Sequence, residues 1–129
     1  MAERVGLLEI GQEVHDVAVV VRAGGEVDSG TVETLAAALD SAVAAAAAHP
    51  TRTVVVDLDG ITYFGSAGLN ALLTCREEGE GRGVVVRLVA TTAEVTRPIE
   101  VTRLARILRP YPSVGEAVAA PEDPPEDPR

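Results

Sequence analysis

Few side chains in these 129 residues are equipped for chemistry, and their neighbours decide what each could do. The stretch DLDGITYFGSAGLNALL, Asp57 to Leu73, sets Ser66 between Gly65 and Ala67-Gly68, where an apolar strand-like run passes into a helix-like one. A nucleophilic serine on such a turn needs the pattern G-x-S-x-G and a histidine base. Phe64 stands two residues before Ser66, and the only histidines are His15 and His49. Serine hydrolysis is therefore disfavoured. Two distant histidines and the single Cys75 give no zinc spacing, so Asp57 and Asp59 read as strand-end and turn residues instead of metal ligands. Phosphate cradling has no motif either: GEGRG, Gly79 to Gly83, precedes a strand instead of a helix and carries an acid where phosphate would lie. Cys75, within LLTCREE, reads as a packed helical thiol. Two uses of Ser66 remain: a helix N-cap, which contributes about 1 kcal/mol, or a site of binding and modification.

The elements that must position this serine follow from the hydrophobic pattern. Val17 to Val21 and Thr53 to Leu58 are short apolar runs, as is Val84 to Val89, and each reads as a buried strand. Val32, Leu35, Ala36, Leu39, Val43 and Ala46 recur at helical spacing, with Asp28 or Ser29 as the candidate N-cap and His49-Pro50 as the stop. Leu69, Leu72, Leu73 and Arg76 make a second stripe, on a helix expected over about Ala67 to Glu78. Val95, Ile99 and Leu104 make a third, with Pro98 placed in its first turns or at a bend. Ser113, three residues before Glu116, fits a capping box opening a short last helix. VGLLEIG and RILRPYP are candidate edge strands.

Strands alternating with helices predict an α/β fold, a central mostly parallel sheet of four or five strands flanked by about four helices. One domain over residues 1–120 is expected, followed by PEDPPEDPR, 121–129, as a disordered acidic, proline-rich tail. In an open sheet of this kind, functional loops lie at the carboxyl ends of the strands, and Ser66 falls there.

Composition removes several partner classes. The net charge of −9 repels nucleic-acid backbones and anionic lipid. An aromatic content of 2% leaves no stacking platform for bases. No apolar run approaches the roughly 20 residues of a membrane span, and MAERVGLLEI lacks the basic start and long apolar core of a signal peptide. The expectation is a cytoplasmic protein that neither binds nucleic acid nor inserts into membranes.

RTVVVDLDGITYFGSAGLNALL resembles the signature of the STAS domain family (sulfate transporter and anti-sigma factor antagonist), in which a strand ending in Asp-Leu leads to Asp-Ser-x-Gly-Leu and a helix. GEVDSGTVETL, with Gly25, Glu26 and Asp28, and VRLVATTAEVTRPIEVTRLARIL resemble further segments of it, so the similarity runs from about Leu7 to Ala120. By size the chain resembles the stand-alone bacterial members, the anti-sigma factor antagonists. The resemblance implies a binding protein without enzymatic activity or cofactor. Its partner would be an anti-sigma factor with serine kinase activity, bound in the unphosphorylated state and released once Ser66 is phosphorylated. A serine phosphatase acting on phospho-Ser66 would be the counterpart. Asp28, Phe64, Gly65, Ser66, Ala67, Gly68 and Leu69 are the implied contact residues. Two positions depart from the family pattern: Gly65 stands where the family has aspartate, and Arg103 where it often has glycine. The alternative is an interaction subunit of a stressosome-like or lipid-transport complex, in which Ser66 carries no switch.

Overall fold

The computed structural model describes residues 8–120. Its elements are β1 (Leu8–Val14), β2 (Val19–Val27), α1 (Val32–Ala47), β3 (Thr53–Phe64), α2 (Ser66–Gly81), β4 (Val85–Val89), α3 (Ala93–Val101) and α4 (Val114–Ala119). The strands form one sheet in the order β1-β2-β3-β4, with β1 antiparallel to β2 and the other pairs parallel. The expected mostly parallel sheet with four helices is thus present, and the first candidate edge strand is β1. The second is not a strand. Tyr111 makes a single parallel bridge to Val89, and Pro110 and Pro112 on either side of it have no N–H with which to extend a ladder.

Alternation along the strands sorts the core into two layers. Val19, Val21 and Ala23 of β2, with Val54, Val56 and Leu58 of β3, pack with Leu35, Leu39 and Val43 of α1 and Leu69 and Leu72 of α2. Both crossovers step the same way along the sheet, so α1 and α2 share this face. Val95 and Ile99 of α3 complete it. The intervening residues Ala18, Val20, Val55 and Val89 face a smaller cluster closed by Ala117 of α4. That short helix starts as its sequence suggests: the Glu116 N–H donates to Ser113 Oγ at 3.1 Å.

Strands β2 and β3 both run past the ends expected from their apolar runs, to Val27 and Phe64. Gly24 and Gly60, which lie beyond those runs, pack the two strands together. A Cβ on Gly60 would stand 3.1 Å from Gly24 Cα, and the register shifts between Arg22 and Gly24 and again between Gly25 and Glu26. Asp57 and Asp59 therefore lie inside β3. Asp57 Oδ2 accepts from Arg22 Nη1 at 2.8 Å, and Asp59 Oδ1 accepts from the Thr91 N–H at 2.8 Å.

The starts and ends of the helices also differ from expectation. The N-cap of α1 is Thr31, not Asp28 or Ser29. Asp28 Oδ1 accepts from the Gly30 and Thr31 N–H groups at 2.8 and 3.1 Å, which closes the turn before the helix. Helices α2 and α3 end alike. Val84 N–H donates to Gly79 O at 2.7 Å and Gly83 N–H to Glu80 O at 3.2 Å; Leu104 N–H donates to Ile99 O at 2.9 Å and Arg103 N–H to Glu100 O at 3.0 Å. This is the Schellman pattern, and it requires a left-handed residue just past the helix. Gly83 has φ 72 and Arg103 φ 63. Leu104 is consequently outside α3, packed against the core from the turn, and Pro98 lies inside the helix.

Candidate functional site

Two parallel strands deliver their carboxyl ends side by side, and this builds the site. Val27 pairs with Phe64 in the ladder, and the Gly65 N–H donates to Val27 O at 3.0 Å. The turn carrying Asp28 and the start of α2 are thereby fixed at one edge of the sheet. Asp28 is held there by its own turn. Its N–H donates to Thr31 Oγ1 at 3.1 Å, and the buried Thr31 hydroxyl donates to Glu26 O at 2.7 Å.

Ser66 is not the cap of its helix. Gly65 is the N-cap, in extended conformation, and its carbonyl accepts from the Gly68 and Leu69 N–H groups at 3.0 and 3.3 Å. Ser66 is the first helical residue, exposed, and no side chain caps the helix. The capping use expected from its position is thus not realised. One acceptor oxygen, the Gly65 carbonyl, already serves the first turn, and the hydroxyl stays outside it. The first turn of α2 also has no acidic residue, so the partial positive charge of the helix start is uncompensated by the helix's own side chains.

The remaining expected contact residues divide by burial. Phe64 and Leu69 are 4% and 5% exposed and Gly68 is buried, so these three lie beneath the surface in the unbound chain. They support the serine from beneath. A Cβ on Gly68 would lie 2.6 Å from Phe64 Cε1 and 2.9 Å from Val27 Cγ1, so only glycine lets the first turn of α2 settle on the ends of β2 and β3. Gly65, Ala67 and Asp28 are half-buried, and Ser66 is open.

Tyr63 was not among the residues singled out, yet it is 54% exposed and lies across Gly65. A Cβ at Gly65 would be 3.2 Å from Tyr63 Oη and 3.3 Å from its Cε2, so the ring uses the space that a side chain at position 65 would claim. A signal was present in the sequence. The chain has two tyrosines and one phenylalanine, and two of these three aromatics immediately precede Gly65-Ser66.

Beside the serine, α1 and α2 form a groove lined by Val32, Ala36, Asp40, Ala67, Ala71 and Thr74, among others. Cys75 closes its floor. Burial first, then the charges of Glu78 and Asp40, push its thiol up to about 12, so it remains protonated and packs as an apolar group. Glu78 of α2 is itself raised, by a hydrogen bond to the Asp40 carboxyl and by that group's charge.

The model of the STAS domain family matches residues 9–117. The anti-sigma-F factor antagonist RsfA of Mycobacterium tuberculosis H37Rv is 32% identical over 106 residues, 82% of this chain and 81% of that one. The anti-sigma-F factor antagonist RsfB of the same strain is 31% identical over 104 residues, 81% of each chain. The crystal structure of an anti-sigma factor antagonist from Mycobacterium paratuberculosis superposes with a TM-score of 0.79 at 28% identity, covering 91% of this chain and 96% of that one.

Proposed function

The chain belongs to the STAS domain family, and on that premise we propose that it is an anti-sigma factor antagonist switched by phosphorylation at Ser66. The relatives named as antagonists support the class of function. The observation that carries the switch is an exposed hydroxyl at the first position of α2, uncapped and seated on a buried glycine. Such a hydroxyl is free to enter a kinase cleft, and its modification need not disturb the fold. A phosphate adds about −1.5 to −2 charges, and the start of a helix accepts an anion with a gain of roughly 0.3–1 kcal/mol.

The effect falls on the partner. Ser66, Tyr63 and the half-buried Ala67 offer a small surface with no Arg nearer in sequence than Arg52 and Arg76. Burying a doubly charged group against such a surface costs several kcal/mol, and about 3 kcal/mol already corresponds to some hundredfold in affinity. In this reading the protein is a kinase substrate and a binding partner, not a catalyst, and needs no cofactor. Its partner is an anti-sigma factor with serine kinase activity, and a serine phosphatase restores the binding form. A domain over residues 1–120 with a tail over 121–129 belongs to the same reading, and residues 1–7 and 121–129 lie outside the described residues. Among the described residues no helix is long and apolar enough to cross a membrane.

The test is incubation of the purified chain with each serine-kinase anti-sigma factor of its source cell, with and without ATP. One such factor should bind the unmodified chain, add a single phosphate that maps to Ser66, and then release the product. Absence of binding to every one of them, or a phosphate mapped elsewhere, would refute the proposal.

A further inference from the structure

The geometry points to Tyr63, laid over Gly65, as the residue that determines which partner recognises Ser66. This rests on the antagonist reading above and goes beyond it by assigning an energetic anchor. Three observations combine. Tyr63 is more than half exposed, while Phe64, the adjacent aromatic, is 4% exposed. The ring extends along the chain toward the serine, because its hydroxyl end lies 3.2 Å from the position a Gly65 Cβ would take. The rest of the exposed surface at this edge is small or acidic: Ala67, Ser66, Asp28 and Glu26, the last paired across the ladder with Tyr63 itself.

An interface is dominated by a few residues, and tyrosine is among the types enriched there, since it offers a large rigid area at low entropic cost. Among the described residues, Tyr63 is the only exposed aromatic side chain beside the serine. A partner that binds here therefore buries the ring and meets Ser66 in the same contact. Gly65 is the second half of the device. Its φ of −89 is open to any residue, so its backbone does not demand glycine; a side chain there would instead crowd the ring, which must give by a few tenths of an ångström. A side chain at 65 moves Tyr63 off its seat and changes the surface without unfolding the domain.

A double-mutant cycle tests this, with the purified anti-sigma kinase that binds the wild-type chain as probe. Tyr63→Ala should weaken binding by about thirtyfold, while Tyr63→Phe, which keeps the ring, stays within threefold. Gly65→Ala should weaken binding by tenfold or more, yet cost nothing further in the Tyr63→Ala background, because the two changes remove one feature. Melting temperatures of all four variants should stay near that of wild type, which separates loss of contact from loss of fold. If Tyr63→Ala binds like wild type while Ser66→Asp is weakened, the inference is overturned and the antagonist reading stands. Additive losses from Gly65→Ala and Tyr63→Ala would overturn the pairing of the two residues. If no serine-kinase anti-sigma factor binds the wild-type chain, the reading and the inference fall together.

Discussion

Replacing Ser66 by alanine and by aspartate separates the serine's contribution to the fold from its contribution to the partner. A capping serine changed to alanine costs about 1 kcal/mol. Here Gly65 holds the cap position and no side chain caps α2, so Ser66→Ala deletes no hydrogen bond of the helix. Alanine is the better helix former by up to about 0.7 kcal/mol in a helix interior, and less at the first position. The stability change should therefore stay within about 0.5 kcal/mol of zero. Ser66→Asp adds a carboxylate to a first turn that has none, a gain of roughly 0.3–1 kcal/mol at low salt. For a domain of this size 1 kcal/mol moves Tm by about 3–5 °C. The alanine variant should then melt within about 2 °C of wild type, and the aspartate variant about 1–4 °C higher. Binding should order the variants differently. Titration calorimetry against the anti-sigma kinase should give Ser66→Ala an affinity near that of wild type and Ser66→Asp at least a tenfold loss, since the new carboxylate must be desolvated in the contact. A drop of about 3 °C or more for Ser66→Ala would show that the hydroxyl caps the helix after all. Wild-type affinity for Ser66→Asp, together with resistance of the wild-type chain to phosphorylation, would end the switch argument.

The helix ends make a matched pair of predictions. Arg103 pays the cost of about 1–2 kcal/mol of a side chain in the left-handed region. Arg103→Gly should thus stabilise the domain by about 0.5–1 kcal/mol after the extra chain entropy of glycine is deducted, and Gly83→Ala, the mirror change at the end of α2, should destabilise it; denaturant midpoints give both signs. Gly68→Ala places a Cβ 2.6 Å from a buried ring, so overpacking should outweigh the better helix propensity and lower stability by about 1–2 kcal/mol in the same assay. Glu78 has a raised pKa in the fold, so its pairing with Asp40 contributes stability below the unfolded value of about 4.5 and loses it as pH rises through the folded value. Glu78→Gln should accordingly raise Tm at pH 7, and the advantage should vanish as the pH is brought below 4.5.

Much of this architecture can be read in the chain because it rests on local pattern. The apolar runs of β2, β3 and β4 and the stripes of α1 and α2 are each complete within one segment, and so is the Ser113–Glu116 cap. What could not be read depends on pairs distant in sequence. Gly24 and Gly60 lie 36 positions apart, and nothing local shows that they face one another across two strands. Arg87, in a run of valines, gives no hint that it is 7% exposed with its guanidinium donating to Ala117 O at 3.0 Å. Ser66 looks like a cap because serine is a good one, and only the placement of Gly65 one residue earlier shows otherwise. The burial of Phe64 and Leu69 is likewise hidden in the sequence, because the close packing of Gly68 on Phe64 and Val27 joins two strand ends to a helix. Tyr63 drew no reading, since tyrosine is intermediate between core and surface and its neighbour Phe64 is the buried one.

The unequal lengths of β3 and β4 have a mechanical consequence. Ladder pairing between them stops at Asp57 with Val89, while β3 continues to Phe64 with only β2 beside it as a strand partner. Beyond Asp57 the sheet is thus one strand narrower on that side, although Ile61 and Phe64 still anchor this part of β3 in the core. Opening this part breaks the bonds of one strand pair, whereas opening the base of β3 breaks two. Amide protons of Ile61 to Phe64 should exchange with solvent ahead of those of Val54 to Val56. The serine is thus carried at the end of β3 that has the fewer ladder bonds, and the buried valines of the central strands hold the other end.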